Sequence, residues 1–167
     1  MGFAGPDDSE LQTLARQLGE RAVASGVQVC VAESCTGGWL AKVITDLPGC
    51  SAWFERGFVT YTNQAKQELL GVEVASLAAL GAVSETVVGQ MAAGALRHSP
   101  AQLSAAISGI AGPGGATPDK PLGTVCFGWG CRDRPVRVTT RHFAGDREAV
   151  RRQSVACALQ GLLERLS

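Results

Sequence analysis

Apolar positions recur at two different periods along the first part of this chain. Leu11, Leu14, Ala15, Leu18 and Ala22 repeat at helical spacing and predict a first helix. Ser9 is its candidate cap, and Gly26 stands just past its end. Residues 1–8 read as a disordered lead-in, because Gly2, Gly5 and Pro6 break any helix there. A short apolar run with β-branched Val29 and Val31 then predicts a buried strand over 28–33. Leu40, Val43, Ile44 and Leu47 return to the helical period, so a helix is expected over about 37–47, stopped by Pro48-Gly49. Between strand and helix lies the polar turn Ser34-Cys35-Thr36-Gly37-Gly38, with Ser34 and Thr36 as capping types.

The same reading continues to the C-terminus. Aromatic and β-branched residues over 53–62 predict a strand. Asn63 can cap a short helix to Leu70, and a second short helix fits 74–80. Ser84 caps an amphipathic helix with Val87, Val88, Met91, Ala92 and Ala95 on one face. Leu103–Ile110 and Gly123–Gly130 are apolar strands flanking a Gly- and Pro-rich loop. After the turn at 132–135, Val136–Phe143 alternates like a strand. Asp146 caps a last helix, lined by Val155, Leu159, Leu162, Leu163 and Leu166. Helices interleaved with strands imply a three-layer α/β/α sandwich. The short turn joining the last two strands makes the central sheet mixed. No repeat or linker divides residues 9–167, which read as a single domain.

Composition narrows the function class. The 167 residues are 46% hydrophobic and 18% charged, with 15 basic and 15 acidic side chains. No basic stripe is present, which argues against a nucleic-acid binder that works by counterion release. No apolar run is long enough to span a membrane, and no signal-peptide pattern opens the chain, so a cytoplasmic protein is expected. The six cysteines are then expected as reduced thiols. Cys30/Cys35 and Cys126/Cys131 share a C-x4-C spacing, wider than structural zinc sites favour, so no metal is expected.

Three stretches carry candidate chemistry. The turn after the first strand brings hydroxyls and helix-start N–H groups together, which suits an anion or a developing oxyanion and equally suits an ordinary cap. The loop Gly109-Ile110-Ala111-Gly112-Pro113-Gly114-Gly115 lacks the spacing of a dinucleotide fingerprint, and no P-loop Lys-Ser/Thr follows it. It remains a candidate for close approach to a small ligand, because it follows a buried strand of an open sheet. Histidine catalysis has little support: His98 stands at a helix end and His142 near a strand end. A desolvated lysine can act as base instead. Of Lys42, Lys66 and Lys120, Lys66 is best placed, where a strand enters a helix, although the residues alone favour a solvated helix lysine. Cys35 is a rival nucleophile to Ser34.

Five ordered motifs add to this reading: Ala32-Glu33-Ser34-Cys35-Thr36-Gly37-Gly38, Trp53–Tyr61, Gly81-Ala82-Val83-Ser84-Glu85, Ser108–Gly115 and Lys120–Val125. With them the chain resembles the CinA C-terminal domain family, and within it the stand-alone nicotinamide-nucleotide amidases. The resemblance runs from about residue 9 to the end, and the N-terminal domain of longer CinA proteins has no counterpart in it. It implies a metal- and cofactor-free amidohydrolase of pyridine nucleotide (NAD) recycling that takes nicotinamide mononucleotide to nicotinic acid mononucleotide and ammonia. It further implies Ser34 as nucleophile, Lys66 as base, and Tyr61 as a residue orienting the lysine or the substrate. Oxyanion donors are then expected among Cys35, Thr36 and Gly37. The substrate phosphate has two candidate seats, the loop at Gly109, Gly112 and Gly114, and Arg147. Family members are often dimers, so a homodimer is expected. Two other classes stay open: a catalytically silent nucleotide-binding relative, and an interaction module linked to competence or DNA damage.

Overall fold

The structure is a computed structural model and describes residues 5–167. Five strands form one sheet in the order β2-β1-β3-β4-β5. They are β1 (Val29–Glu33), β2 (Phe54–Val59), β3 (Leu103–Gly109), β4 (Thr124–Cys131) and β5 (Arg134–His142). β1 lies parallel to both β2 and β3, whereas β4 runs antiparallel to β3 and to β5. The sheet is therefore mixed, as the short β4–β5 connection requires. Pro135 is tolerated because β5 is an edge strand and the register shifts there.

Six helices cover the two faces: α1 (Asp8–Ser25), α2 (Trp39–Thr45), α3 (Asn63–Leu70), α4 (Val74–Leu80), α5 (Glu85–Arg97) and α6 (Arg147–Arg165). Alternation along the strands decides which face each residue serves. Val29, Val31, Ala105, Ile107 and Phe127 point to one side, under Leu18, Ile44 and Leu159 of α1, α2 and α6. Cys30, Ala32, Ala106 and Cys126 point to the other, under Leu70, Leu77 and Met91 of α3, α4 and α5. This is the expected α/β/α sandwich. The approach of α6 is closest at Gly161, where an added Cβ would fall 2.0 Å from the Trp129 ring. That indole donates to the Ala158 carbonyl at 3.0 Å, so helix and sheet meet through one aromatic ring and one glycine.

Most expected caps are in place, with Ser84 and Asp146 accepting from Val87 and Ala149. Three helix starts differ, and β5 begins at Arg134, inside the expected 132–135 turn. Helix α1 is capped by Asp7, not Ser9, in a reciprocal capping box with Glu10. The expected lead-in falls partly on residues 1–4, outside the described residues, whereas Asp7 and Asp8 belong to the helix and its cap. Helix α3 is capped by Thr62 instead of Asn63. The largest difference is at α2, which begins at Trp39 and not near residue 37. Gly37 and Gly38 both take left-handed backbone angles (φ +57° and +99°), which end the turn before a helix can start.

Candidate active site

Because β1, β2 and β3 are parallel, their C-terminal ends lie at one edge of the sheet. Glu33, the last residue of β1, is paired with Val59 on one side and Ile107 on the other. The chain leaving β1 at Ser34 is thus flanked by Thr60–Tyr61 beyond β2 and by the 109–115 loop beyond β3. The Ser34 amide still donates to the Ile107 carbonyl at 3.0 Å, which ties the first turn residue to the sheet.

Lys66 reaches this edge from the first turns of α3. Its Nζ stands 3.0 Å from Ser34 Oγ and donates to the Thr60 carbonyl at 2.8 Å. The side chain is only 1% exposed, and Ser34 is 8% exposed. No ion pair among the described residues includes Lys66. Burial without a carboxylate partner disfavours the ammonium, so the Lys66 pKa is lowered from the ordinary lysine value; the neighbouring Cys35 opposes this weakly. A buried amine of lowered pKa against a serine hydroxyl is able to take that hydroxyl's proton. The other lysines are elsewhere engaged. Lys42 is exposed and pairs with Asp46 at 2.6 Å, while Lys120 donates to the Leu80 carbonyl at the end of α4. His98 bonds its own helix at Gly94, and His142 approaches Thr124.

The turn itself is held from two sides by residues that sequence reasoning did not single out. The carboxyl group of Glu33 is fully buried. Its Oε1 accepts from the Thr36 hydroxyl at 2.7 Å and the Leu40 amide at 2.9 Å, and Oε2 accepts from the Ala41 amide at 3.0 Å. Glu33 therefore caps α2 from the preceding strand, and Thr36, expected as a helix cap or a substrate donor, spends its hydroxyl on Glu33. The Leu40 and Ala41 N–H groups at the start of α2 are taken by this carboxyl. A signal for it was available: an acidic residue inside an otherwise apolar strand must find buried donors. Glu33→Gln places an NH2 group against the Ala41 amide and is expected to cost about 1–3 kcal/mol of stability, read from denaturant unfolding. A cost below about 0.5 kcal/mol would mean that the carboxyl does not hold the turn.

On the other side, Arg151 of α6 donates through Nε to the Cys35 carbonyl at 3.0 Å and through Nη2 to the Thr36 carbonyl at 3.1 Å. The Gly37 amide returns to the Ser34 carbonyl at 3.0 Å, so Gly37 is not a free donor. Among the described residues, the amides of Cys35 and Thr36 have no backbone or side-chain carbonyl or carboxyl acceptor. The Cys35 thiol is buried, and burial pushes its pKa up to about 12, beyond what nearby Arg151 offsets. At neutral pH it is a protonated, inert thiol.

The remaining expected residues form a bridge over this edge. Arg147, at the start of α6, donates to the Gly112 carbonyl at 2.8 Å and to the Tyr61 hydroxyl at 3.1 Å. Gly112 lies beyond β3 and Tyr61 beyond β2, so the guanidinium spans the end of β1 between them. Tyr61 is 60% exposed, and the group bonded to Lys66 is the Thr60 carbonyl. The Tyr61 phenol accepts from Arg147 and makes no hydrogen bond to Lys66, so of the two roles expected for it, orienting the lysine or the substrate, its contacts face the Arg147 side. Gly109 has a packing reason, since a Cβ there would fall 2.7 Å from Val125. Gly114 is open to solvent. All six cysteines are free, and no group of three or more His, Cys, Asp or Glu among the described residues is arranged to hold a metal ion. No helix among the described residues is long and apolar enough to cross a membrane.

Residues 11–166 match the CinA C-terminal domain as a family. The chain is 56% identical over 156 residues to the nicotinamide-nucleotide amidohydrolase PncC of Escherichia coli K12, covering 93% of this chain and 94% of that one. It is 51% identical over 154 residues to the protein of the same name from Pseudomonas putida, covering 92% and 96%. Among solved structures, the competence/damage-inducible protein CihA of Agrobacterium tumefaciens superposes with a TM-score of 0.90 at 41% identity, over 98% of both chains.

Proposed function

The chain belongs to the CinA C-terminal domain family, and from that premise we propose that it hydrolyses nicotinamide mononucleotide to nicotinic acid mononucleotide and ammonia, with Ser34 as nucleophile and Lys66 as base. The observation that carries this reading is the buried Lys66–Ser34 contact at 3.0 Å, free of any carboxylate.

In the neutral state Lys66 accepts the Ser34 hydroxyl proton while the Thr60 carbonyl holds the amine in place. Ser34 Oγ attacks the carboxamide carbon, and the proton passes to Nζ. The oxyanion that forms is met by the Cys35 and Thr36 amides, the two N–H groups next after Ser34, which have no acceptor; one such donor is typically worth about 3 kcal/mol in the transition state. Collapse breaks the C–N bond, and the Lys66 ammonium gives its proton to the leaving nitrogen, which departs as ammonia. Water, deprotonated by the same amine, hydrolyses the Ser34 ester and releases the carboxylate. The reaction fits pyridine nucleotide recycling, since its product retains ribose and phosphate.

Arg147 is the phosphate ligand in this reading. A guanidinium has five N–H donors, and the contacts to Gly112 and Tyr61 leave others for an anion above Ser34. The test is ammonia release from nicotinamide mononucleotide, with product identified as the acid mononucleotide, beside the phosphate-free riboside. A folded parent that releases no ammonia rejects the amidase. Arg147→Ala is expected to raise KM for the mononucleotide about 10- to 100-fold, the loss of one charge-assisted contact, while the riboside is little affected. Equal effects on both substrates would move the phosphate to the 109–115 loop.

A further inference from the structure

We infer that Arg151 is a positioning residue that sets the direction of the two oxyanion amides after Ser34. The inference rests on the amidase reading for its chemistry, but the geometry stands by itself. In a trans peptide the C=O and N–H point in opposite directions, so holding one fixes the other. The only cis bond among the described residues is Gly112–Pro113, so the turn peptides are trans. The Ser34 carbonyl is held by the Gly37 amide, which commits the Cys35 N–H to the opposite side. The Cys35 carbonyl is held by Arg151 Nε, which commits the Thr36 N–H in the same way. Arg151 Nη2 also holds the Thr36 carbonyl, and through that peptide it directs the Gly37 N–H back onto Ser34. The Thr36 carbonyl also accepts from the Trp39 amide at 3.0 Å, so the guanidinium alone sets the Cys35–Thr36 peptide plane and reinforces the Thr36–Gly37 one.

The local sequence makes this external hold necessary. Gly37 and Gly38 free the backbone to rotate, and Glu33 fixes the turn through the Thr36 side chain and α2, not through the Cys35–Thr36 peptide. Without Arg151 the Cys35 carbonyl has no partner, and that peptide can turn over and withdraw the Thr36 N–H. The guanidinium is itself held in place. Its Cζ lies 5.3 Å from the Trp39 ring centroid, a cation–π contact, and α6 is anchored on the sheet through Trp129.

The test uses Arg151→Met, which keeps much of the stem against Trp39, and Arg151→Lys, which keeps the charge but loses the fork. Both are expected to lower kcat about 10- to 100-fold, short of the 100- to 1000-fold lost when an oxyanion donor is removed outright. KM should stay within about threefold and the acid limb of the pH profile should not move, because Arg151 touches neither the substrate nor Lys66. Guanidinium ion added below denaturing concentration should restore part of kcat in Arg151→Met and none in Ser34→Ala. A kcat within about twofold of the parent in folded Arg151→Met, or a loss confined to KM, overturns the inference. Should the parent itself release no ammonia, the amidase reading fails alone, and the positioning role is read from the Cys35 and Thr36 amide resonances. These are expected to shift and broaden in Arg151→Lys, and unchanged positions overturn it.

Discussion

Ser34→Ala is expected to reduce ammonia release from nicotinamide mononucleotide by at least about 10,000-fold, to the residual level that binding and oxyanion contacts alone support. The size follows from the absence of a substitute. Cys35 is the adjacent candidate, but its thiol is 6% exposed and held protonated by burial, with a pKa pushed up to about 12. Only a small fraction is thiolate at neutral pH, and its side chain belongs to the core on the α1/α2/α6 face of the sheet. The variant should fold, since removing one hydroxyl leaves Lys66 its Thr60 carbonyl. It should also retain affinity for the nucleotide, because Arg147 and Tyr61 are untouched. Single-turnover assays with calorimetric binding separate these outcomes. Activity in Ser34→Ala above about one part in a hundred of the parent would place the nucleophile elsewhere.

Lys66→Met should cost nearly as much activity, about 100- to 10,000-fold, the range of a general base acting in both acylation and deacylation. The parent should show an acid limb in kcat/KM that reports deprotonation of the free enzyme's lysine. It should lie below the ordinary lysine value near 10.4, because burial lowers that pKa. The limb should vanish in Lys66→Met. Stability should change with the opposite sign to activity. A lysine whose folded pKa is lowered binds fewer protons folded than unfolded between the folded and unfolded pKa values, so parent stability rises with pH across that window. Below the folded pKa the full penalty of the buried charge is present. Methionine carries no such penalty, and its volume fits the stem. Lys66→Met is therefore expected to be more stable than the parent at neutral pH, with the margin shrinking as pH approaches 10. Urea unfolding at the two pH values measures this, and a margin that grew with pH would contradict a buried lysine of lowered pKa.

The two variants rest on structural facts of different legibility. Ser34 is legible in the sequence as a turn residue, because a strand, a capping-type residue and a glycine pair in that order mark a tight turn at a sheet edge. Lys66 did not stand apart from an ordinary helix lysine until the family resemblance distinguished it. Its spacing after Tyr61 said nothing about solvent, and its first turn of helix is elsewhere exposed at Asn63 and Gln64. Tyr61 shows the reverse case. The resemblance implies that it orients the lysine or the substrate, and the backbone turn at 60–61 sends the carbonyl of Thr60 to Lys66 and the phenol of Tyr61 outward to Arg147.

What the sequence by itself determined was the set of elements and their layers. Period-2 and period-3.6 apolar patterns are local consequences of burying one face, and caps such as Ser84 and Asp146 act within four residues, so both are written in adjacent positions. What only the tertiary structure decided was the state of the site. The Lys66–Ser34 contact joins residues 32 apart, and the Arg151 contacts join residues 115 and 116 apart. The dry environment that lowers the Lys66 pKa exists only once α3 has closed on the sheet edge. The displaced start of α2 has the same origin. Local capping rules favour Ser34 or Thr36, but the left-handed Gly37 and Gly38 delay the helix, and the Glu33 carboxyl buried at the strand end accepts from the Leu40 and Ala41 amides. Desolvation and hydrogen bonding to a buried charge depend on the whole packed neighbourhood, and no window of adjacent residues contains it.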